Sequence, residues 1–191
     1  QLKTVYLPDV TKNISANAFS GCDNLQKVVF YQTKEETDGG VTVRVPVYQD
    51  DGVTLEPAVA IELTTIASSA FKNCVKLNDF VIPAKVTTIG ASAFEGCAAL
   101  TTIAIPASVN SIGSCAFKGC SALASATINA PLTVENNGIK DQIFAKCTAL
   151  TNVTFAAGTT LVPNQMFEGC SALTSVVIPN TVEKIGLSAF K

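Results

Sequence analysis

A solenoid of short stacked coils is the fold class this sequence predicts, and three observations predict it. The first is a phenylalanine ladder: Phe71, Phe94 and Phe117 lie 23 residues apart, as do Phe144, Phe167 and Phe190, with Phe19 ahead of them. The second is a cysteine three residues after the phenylalanine in the first six coils, at Cys22, Cys74, Cys97, Cys120, Cys147 and Cys170. The third is a leucine opening each coil, at Leu2, Leu25, Leu77, Leu100, Leu123, Leu150 and Leu173. Self-similarity at a fixed period marks units that cannot bury their own apolar face and must stack to do so.

The most regular coil, LTTIAIPASVNSIGSCAFKGCSA at residues 100–122, defines the pattern L-x-x-I-x-I-P-x-x-V-x-x-I-G-x-x-A-F-x-G-C. Positions four and six share a face at strand spacing, as in Ile103 with Ile105, Val153 with Phe155 and Val176 with Ile178, and point inward. Proline at position seven (Pro8, Pro83, Pro106, Pro179) ends the strand by withholding an N–H. A second apolar pair follows at positions ten and thirteen, as in Val109 with Ile112, and the next glycine (Gly90, Gly113, Gly186) is expected to permit a tight bend. The A-F-x-G-C segment is expected to close the coil as a helical turn or an irregular arc. About seven coils at a strand spacing of about 4.8 Å predict a slab roughly 30 to 35 Å long. It carries a parallel β-sheet on one side, with short strands, turns and helical turns on the others.

Two coils depart from the period. Cys22 and Cys74 are 52 residues apart, so the second coil carries an insertion, residues 31–61, with Tyr31 where proline is expected. Its run VTVRVPVYQDDGVTLEP reads as a β-hairpin around Asp50-Asp51-Gly52. The fifth coil carries four extra residues, where Asn136-Asn137-Gly138 signals a turn. Both insertions follow the first strand and should emerge on one edge. Residues 1–191 read as a single repeat domain. An opening Gln1 and a last repeat that stops within IGLSAFK suggest a fragment of a longer array.

Composition narrows the function. With 13 basic and 15 acidic residues and a net charge of -2, no stretch tracks a nucleic-acid backbone or an anionic membrane. No apolar run approaches the roughly 18 to 20 residues that span a bilayer. The chain has no histidine, so histidine-based triads and zinc sites with histidine ligands lie outside its repertoire, and the 23-residue cysteine spacing does not suit zinc. The ladder cysteines read as buried, reduced thiols acting as small apolar fillers. Cys115, at a position held by Ser, Asn or Gln in most other coils, reads as a tolerated serine replacement. The acidic pairs Glu35-Glu36 and Asp50-Asp51 read as solvated turn residues.

The spacing I-P-x-x-V-x-x-I-G-x-x-A-F-x-G-C, nearly complete in residues 77–99 and 100–122, resembles the BspA-like class of leucine-rich repeats. The fifth coil departs from it with Asn129 and Lys140, and the sixth with Ala156 and Pro163. The resemblance implies a leucine-rich-repeat solenoid from a bacterial cell-surface or secreted protein. Some members adhere to host matrix proteins such as fibronectin and fibrinogen.

The resulting expectation is a non-enzymatic, extracellular or cell-surface binding module without catalytic residues, cofactor or metal, whose signal and anchor lie outside this segment. It would recognise a protein partner through the insertion and the neighbouring sheet, with no nucleic-acid partner and no membrane insertion by this segment. Candidate partner-binding residues are Tyr6, Lys27 and Asp79 on the exposed sheet positions, and Tyr31, Arg44 and Tyr48 on the insertion. The alternative is a structural spacer or scaffold that self-associates end to end. The ladder itself yields a stability prediction. Phe117→Ala, between two neighbouring coils, should cost about 3 to 5 kcal/mol in urea unfolding and Phe190→Ala clearly less; equal costs would refute the stacking order.

Overall fold

The computed structural model describes residues 2–38, 40–133 and 138–191. Its strands follow the repeat. The first coil holds β1 (Thr4–Pro8) and β2 (Asn13–Ile14), and the second β3 (Lys27–Tyr31), β4 (Thr33–Asp38), β5 (Val41–Pro46) and β6 (Thr65–Ile66). The third coil holds β7 (Thr88–Ile89), the fourth β8 (Thr102–Ile105) and β9 (Ser111–Ile112), and the fifth β10 (Ser125–Ile128). The sixth has β11 (Asn152–Phe155) and β12 (Leu161–Val162), and the seventh β13 (Lys184–Ile185).

Inside the solenoid the repeat positions form columns. Phe71, Phe94, Phe117 and Phe144 are fully buried, and the ladder from Phe19 to Phe190 stacks ring on ring at centroid separations of 5.1 to 6.0 Å. Such offset stacking adds a specific term to burial. Leu25, Leu63, Leu77, Leu100, Leu123 and Leu150 are likewise buried. Among the described residues no segment is an α-helix or 3₁₀-helix, so the expected helical turns do not occur. The A-F-x-G-C segment is instead a run of turns with two residues in the left-handed region. One lies two residues before each phenylalanine: Asn17, Ser69, Ser92, Cys115, Gln142, Gln165 and Ser188 have φ of 52° to 62°. The other is the glycine position, also filled by Asn73 and Lys146. Alternating backbone handedness breaks any helix. It also turns N–H groups toward the next coil. Phe94 N donates to Ala116 O, Phe117 N to Ile143 O and Phe144 N to Met166 O, and the flanking left-handed residues do the same.

The cysteines do more than fill space. Each thiol from Cys74 onward on the ladder donates to the phenylalanine carbonyl of the coil before it: Cys74 Sγ to Phe19 O, Cys97 Sγ to Phe71 O, Cys120 Sγ to Phe94 O, Cys147 Sγ to Phe117 O and Cys170 Sγ to Phe144 O, at 3.0 to 3.2 Å. That carbonyl also accepts from its own coil's cysteine N–H, as Phe94 O does from Cys97 N. Burial, first among the causes, pushes the Cys74 and Cys170 thiols up to about 12, and Cys97 also rises. These thiols therefore stay protonated and unreactive. Cys115 is half-buried, with its Sγ 3.3 Å from Gln142 Oε1.

The sheet side is less continuous than the period implies. Among the described residues β1 pairs only with β3, and β8, β10 and β11 form a three-stranded parallel sheet. Residues 79–82 of the third coil and 175–178 of the seventh are not laddered strands, although Phe80 and Ile82 still point inward. The break follows proline. Where position seven is Tyr31 or Asn129, the coil pairs with its predecessor, and Asn129 N donates to Ile105 O at 2.9 Å. Ala156 marks the third such coil. Where it is Pro83, Pro106 or Pro179 that donor is missing, and no strand ladder forms beneath.

The position-fourteen glycines play a different part from the one expected. Gly90, Gly113 and Gly186 are outside the positive-φ set, so they are not needed for a left-handed bend. A Cβ on Gly113 would instead collide with the backbone of Gly90 and Ala91 in the preceding coil. Close approach is the constraint. Gly113→Ala should therefore cost about 1 to 3 kcal/mol in urea unfolding, as overpacking against backbone does; a change within about 0.5 kcal/mol would mean that the coils yield freely there.

Candidate functional site

The insertion is built differently from its sequence reading, and the difference shapes the site. Its long hairpin is β4 with β5, in antiparallel register from Thr33 opposite Pro46 to Asp38 opposite Val41. The Asp50-Asp51-Gly52 turn exists but closes a shorter second finger, with Tyr48 bridging Leu55. The Thr54 hydroxyl donates to the Asp51 carboxylate and, with Thr54 N and Val53 N at 2.8 Å, lowers its pKa. Glu35 and Glu36 lie on β4, where Glu35 pairs with Arg44 at 2.7 Å and Glu36 with Lys34 at 2.8 Å, so they are strand residues rather than turn residues. Asn136 and Asn137 of the fifth-coil insertion lie outside the described residues.

Asp9 clasps the neck of the insertion. Its N–H donates to Tyr31 O, its carbonyl accepts from Glu62 N, and its carboxylate accepts from the Thr33 N–H and hydroxyl. The departing and returning chains are thus pinned to one residue of the first coil. The return segment then turns back along β3: Gln32 N donates to Glu56 O, Pro57 bridges Tyr31, and Ala58 N donates to Phe30 O at 3.1 Å. It occupies the side of β3 on which the third coil would otherwise pair. At the strand's start the Lys27–Asp79 bridge and the hydrogen bond from Asn78 N to Gln26 O still join the two coils.

The outcome is a split in the sheet at the third coil. A groove of about 660 Å³ runs along residues 78–85, bounded by Val59 and Ile61 of the return segment on one side and by Thr102, Ala104 and Pro106 on the other. A smaller depression of about 240 Å³ lies toward β3, among Val29, Phe30, Ala58 and Val81. The surface is apolar: Val81 is 77% exposed and Val59 88%, unusually high for two valines facing one concavity. Charges at its margins are paired, Lys27 with Asp79 at 3.6 Å and Lys85 with Glu62. Among the described residues no three His, Cys, Asp or Glu side chains gather to hold a metal.

The six sequence-derived candidates separate here. Lys27 and Asp79 come together at the edge of the split. Tyr6 is exposed on β1 and opposite Val29, next to the smaller depression. Tyr31 is half-buried and helps hold the return segment, and Arg44 is engaged by Glu35 and Thr33 within the hairpin. Tyr48 is exposed on the second finger. Val59, Val81 and Ala104 were not among the candidates. The signal for them is the pair of consecutive prolines at position seven, Pro83 and Pro106, directly after an inserted segment ending in Pro57-Ala58-Val59-Ala60-Ile61.

A family model described as "BspA type Leucine rich repeat region" matches residues 1–39 and 64–191, in six copies. Among solved structures, a leucine-rich repeat protein from T. pallidum is 27% identical, with a TM-score of 0.61 over 89% of this chain and 64% of its own. One from Bacteroides ovatus is 19% identical, with a TM-score of 0.58 over 96% of this chain and 45% of its own, and supports the fold alone. The chain thus spans less than two thirds of either structure. No curated protein matches it.

The clasp carries a pH prediction. Burial raises the Asp9 pKa, but the two Thr33 hydrogen bonds, with Val10 N–H and Arg44, outweigh it and hold the carboxyl below its usual range. A depressed folded-state pKa contributes stability above the unfolded value of about 4, and that contribution is lost as pH falls through the folded value. Between neutral pH and about pH 2.5 the urea midpoint of the parent should fall more steeply than that of Asp9→Asn; parallel profiles would show that the clasp contributes nothing.

Proposed function

Because the chain belongs to the BspA-type leucine-rich repeat family, we propose that it is a non-enzymatic binding module of a bacterial cell-surface or secreted protein, recognising a protein partner at the split in its sheet. The observation carrying this reading is the apolar groove between the inserted return segment and the fourth coil, flanked by exposed Val59 and Val81. A regular solenoid exposes a flat strip of small hydroxyl side chains, such as Thr102, Thr127 and Thr154, with few anchors for affinity. Here the insertion turns that strip into a concavity. A recess lined by apolar groups and edged by a few polar ones is the usual form of a binding site. Fibronectin and fibrinogen, which the family resemblance suggests, are the first partners to test. The module would form one solenoid domain of a longer repeat protein.

Removing residues 32–60 joins β3 to Ile61 and deletes the groove wall formed by Val59 while leaving the phenylalanine spine intact. The variant should melt cooperatively, and its binding to immobilised fibronectin or fibrinogen should fall at least about tenfold, or about 1.4 kcal/mol. Val81→Asp, at a 77% exposed position, should leave stability within about 0.5 kcal/mol and weaken binding in the same direction. If both variants bind as the parent does, the insertion is a decoration.

A further inference from the structure

We propose that Cys115, Lys118 and Gln142 form an intramolecular acyl-transfer site that cross-links the fourth coil to the fifth through an isopeptide bond between Lys118 and Gln142. None of the three lines the groove, and the proposal does not rest on the binding-module reading. They meet at one atom. Cys115 Sγ donates to Gln142 Oε1 at 3.3 Å, and Lys118 Nζ donates to the same oxygen at 3.1 Å. A thiol, a carboxamide and a primary amine are the nucleophile, acyl donor and acceptor of an acyl transfer. All three residues are half-buried. Cys115 and Gln142 hold the same left-handed position in successive coils, with φ of 62° and 58°, so their side chains leave the turn segment side by side. The second, third and seventh coils carry Ser69, Ser92 and Ser188 there.

The amide is fixed from both ends. Lysine can only donate, so the Gln142 oxygen must face Lys118. On the other side Gln142 Nε2 donates to Gln165 Oε1 at 3.2 Å, and Gln165 Nε2 donates to Glu168 Oε2 at 2.7 Å. Among the described residues Cys115 is the one thiol directed at a side-chain amide, whereas the ladder thiols from Cys74 onward are directed at backbone carbonyls. In the first step the Cys115 sulfur bonds to Gln142 Cδ, the C–N bond breaks, and the nitrogen leaves as ammonia carrying the thiol proton. The Lys118 ammonium stabilises the charge that develops on Oε1, then gives a proton to the departing ammonia. In the second step the resulting amine bonds to Cδ, the C–S bond breaks, and an amine proton returns to the sulfur. The sum is an isopeptide and an ammonium ion, with no further reactant. Held contact replaces a bimolecular encounter. The bond ties the coils where the second-strand ladder thins beyond β9 to the single bridge of Ile112 with Ile139.

The test is mass spectrometry of tryptic peptides from the folded chain after incubation at mildly alkaline pH. Reading peptides keeps ammonia lost elsewhere in the chain from counting. The expected species joins a peptide with uncleaved Lys118 to residues 141–146 and weighs about 17 Da, one ammonia, less than its two parts. Cys115→Ser, which restores the residue of other coils, should slow its formation at least about tenfold with an unchanged melting temperature. Lys118→Arg keeps the cation but has no acceptor amine. It should stop at the Cys115–Gln142 thioester, which added hydroxylamine converts to a hydroxamate at Gln142. Lys118 and Gln142 remaining unmodified throughout would overturn the proposal. So would a cross-link that forms equally fast in Cys115→Ser, the absence of a hydroxamate in Lys118→Arg, or cross-linking in urea at the rate of the folded chain, since the contact would then contribute nothing.

Discussion

The inter-coil hydrogen bonding along the phenylalanine side is the constraint on which the rest of this structure depends. Two left-handed residues per coil aim backbone donors at the next coil, and this pattern runs from Asn17 and Phe19 to Phe167 and Gly169 across both insertions. The stacked rings lie directly inside it, and the cysteine thiols tie each coil to the phenylalanine carbonyl of the one before. Each of these carbonyls already accepts from its own coil's cysteine N–H and has a second lone pair, to which the thiol supplies a weak donor in the volume of a small apolar side chain. Serine would donate more strongly but pack less favourably in the apolar column, which accounts for cysteine recurring at a position where composition alone suggests only a filler.

With the spine secured elsewhere, the sheet is free to break. Proline at position seven withholds the one donor that would join the end of a coil's first strand to its predecessor, so in the most regular repeats the first-strand segment does not ladder downward, while the second strands β6, β7 and β9 pair coil to coil. The β1–β3 and β8–β10–β11 sheets are separated by a third coil that keeps its inward Phe80 and Ile82 but lacks a continuous strand partner. Phe80 remains anchored by packing against Phe71 and Phe94 at 5.1 and 5.0 Å. Packing on one face and missing hydrogen bonds on the edge can coexist because the two are independent contacts of the same strand.

The insertion exploits this break. Asp9 holds its two ends together, and the return segment occupies the side of β3 that the third coil leaves free, giving Phe30 O a donor that Pro83 cannot supply. A solenoid surface that would otherwise be flat and polar thereby gains a recess with apolar walls and paired charges at its margins. Recognition in repeat proteins often falls on such departures, since the regular positions are committed to stacking.

What the sequence by itself determined is the stacking: period, inward positions, buried phenylalanines and the place of the insertion all follow from one-dimensional spacing, because each coil meets its neighbour at the same position of the repeat. Handedness of the turn segment was less legible, since Asn, Ser, Cys and Gln share a left-handed position without glycine to mark it. Gly113 shows the reverse problem: its residue type suggested a bend, whereas the neighbouring coil's backbone imposes the need for glycine. Only the tertiary structure decided that Arg44 is occupied by Glu35, that Lys27 meets Asp79 and that Val59, Val81 and Ala104 share a recess. Those outcomes depend on which backbone edge the returning chain takes, and competition for a hydrogen-bonding edge is settled between segments distant in sequence.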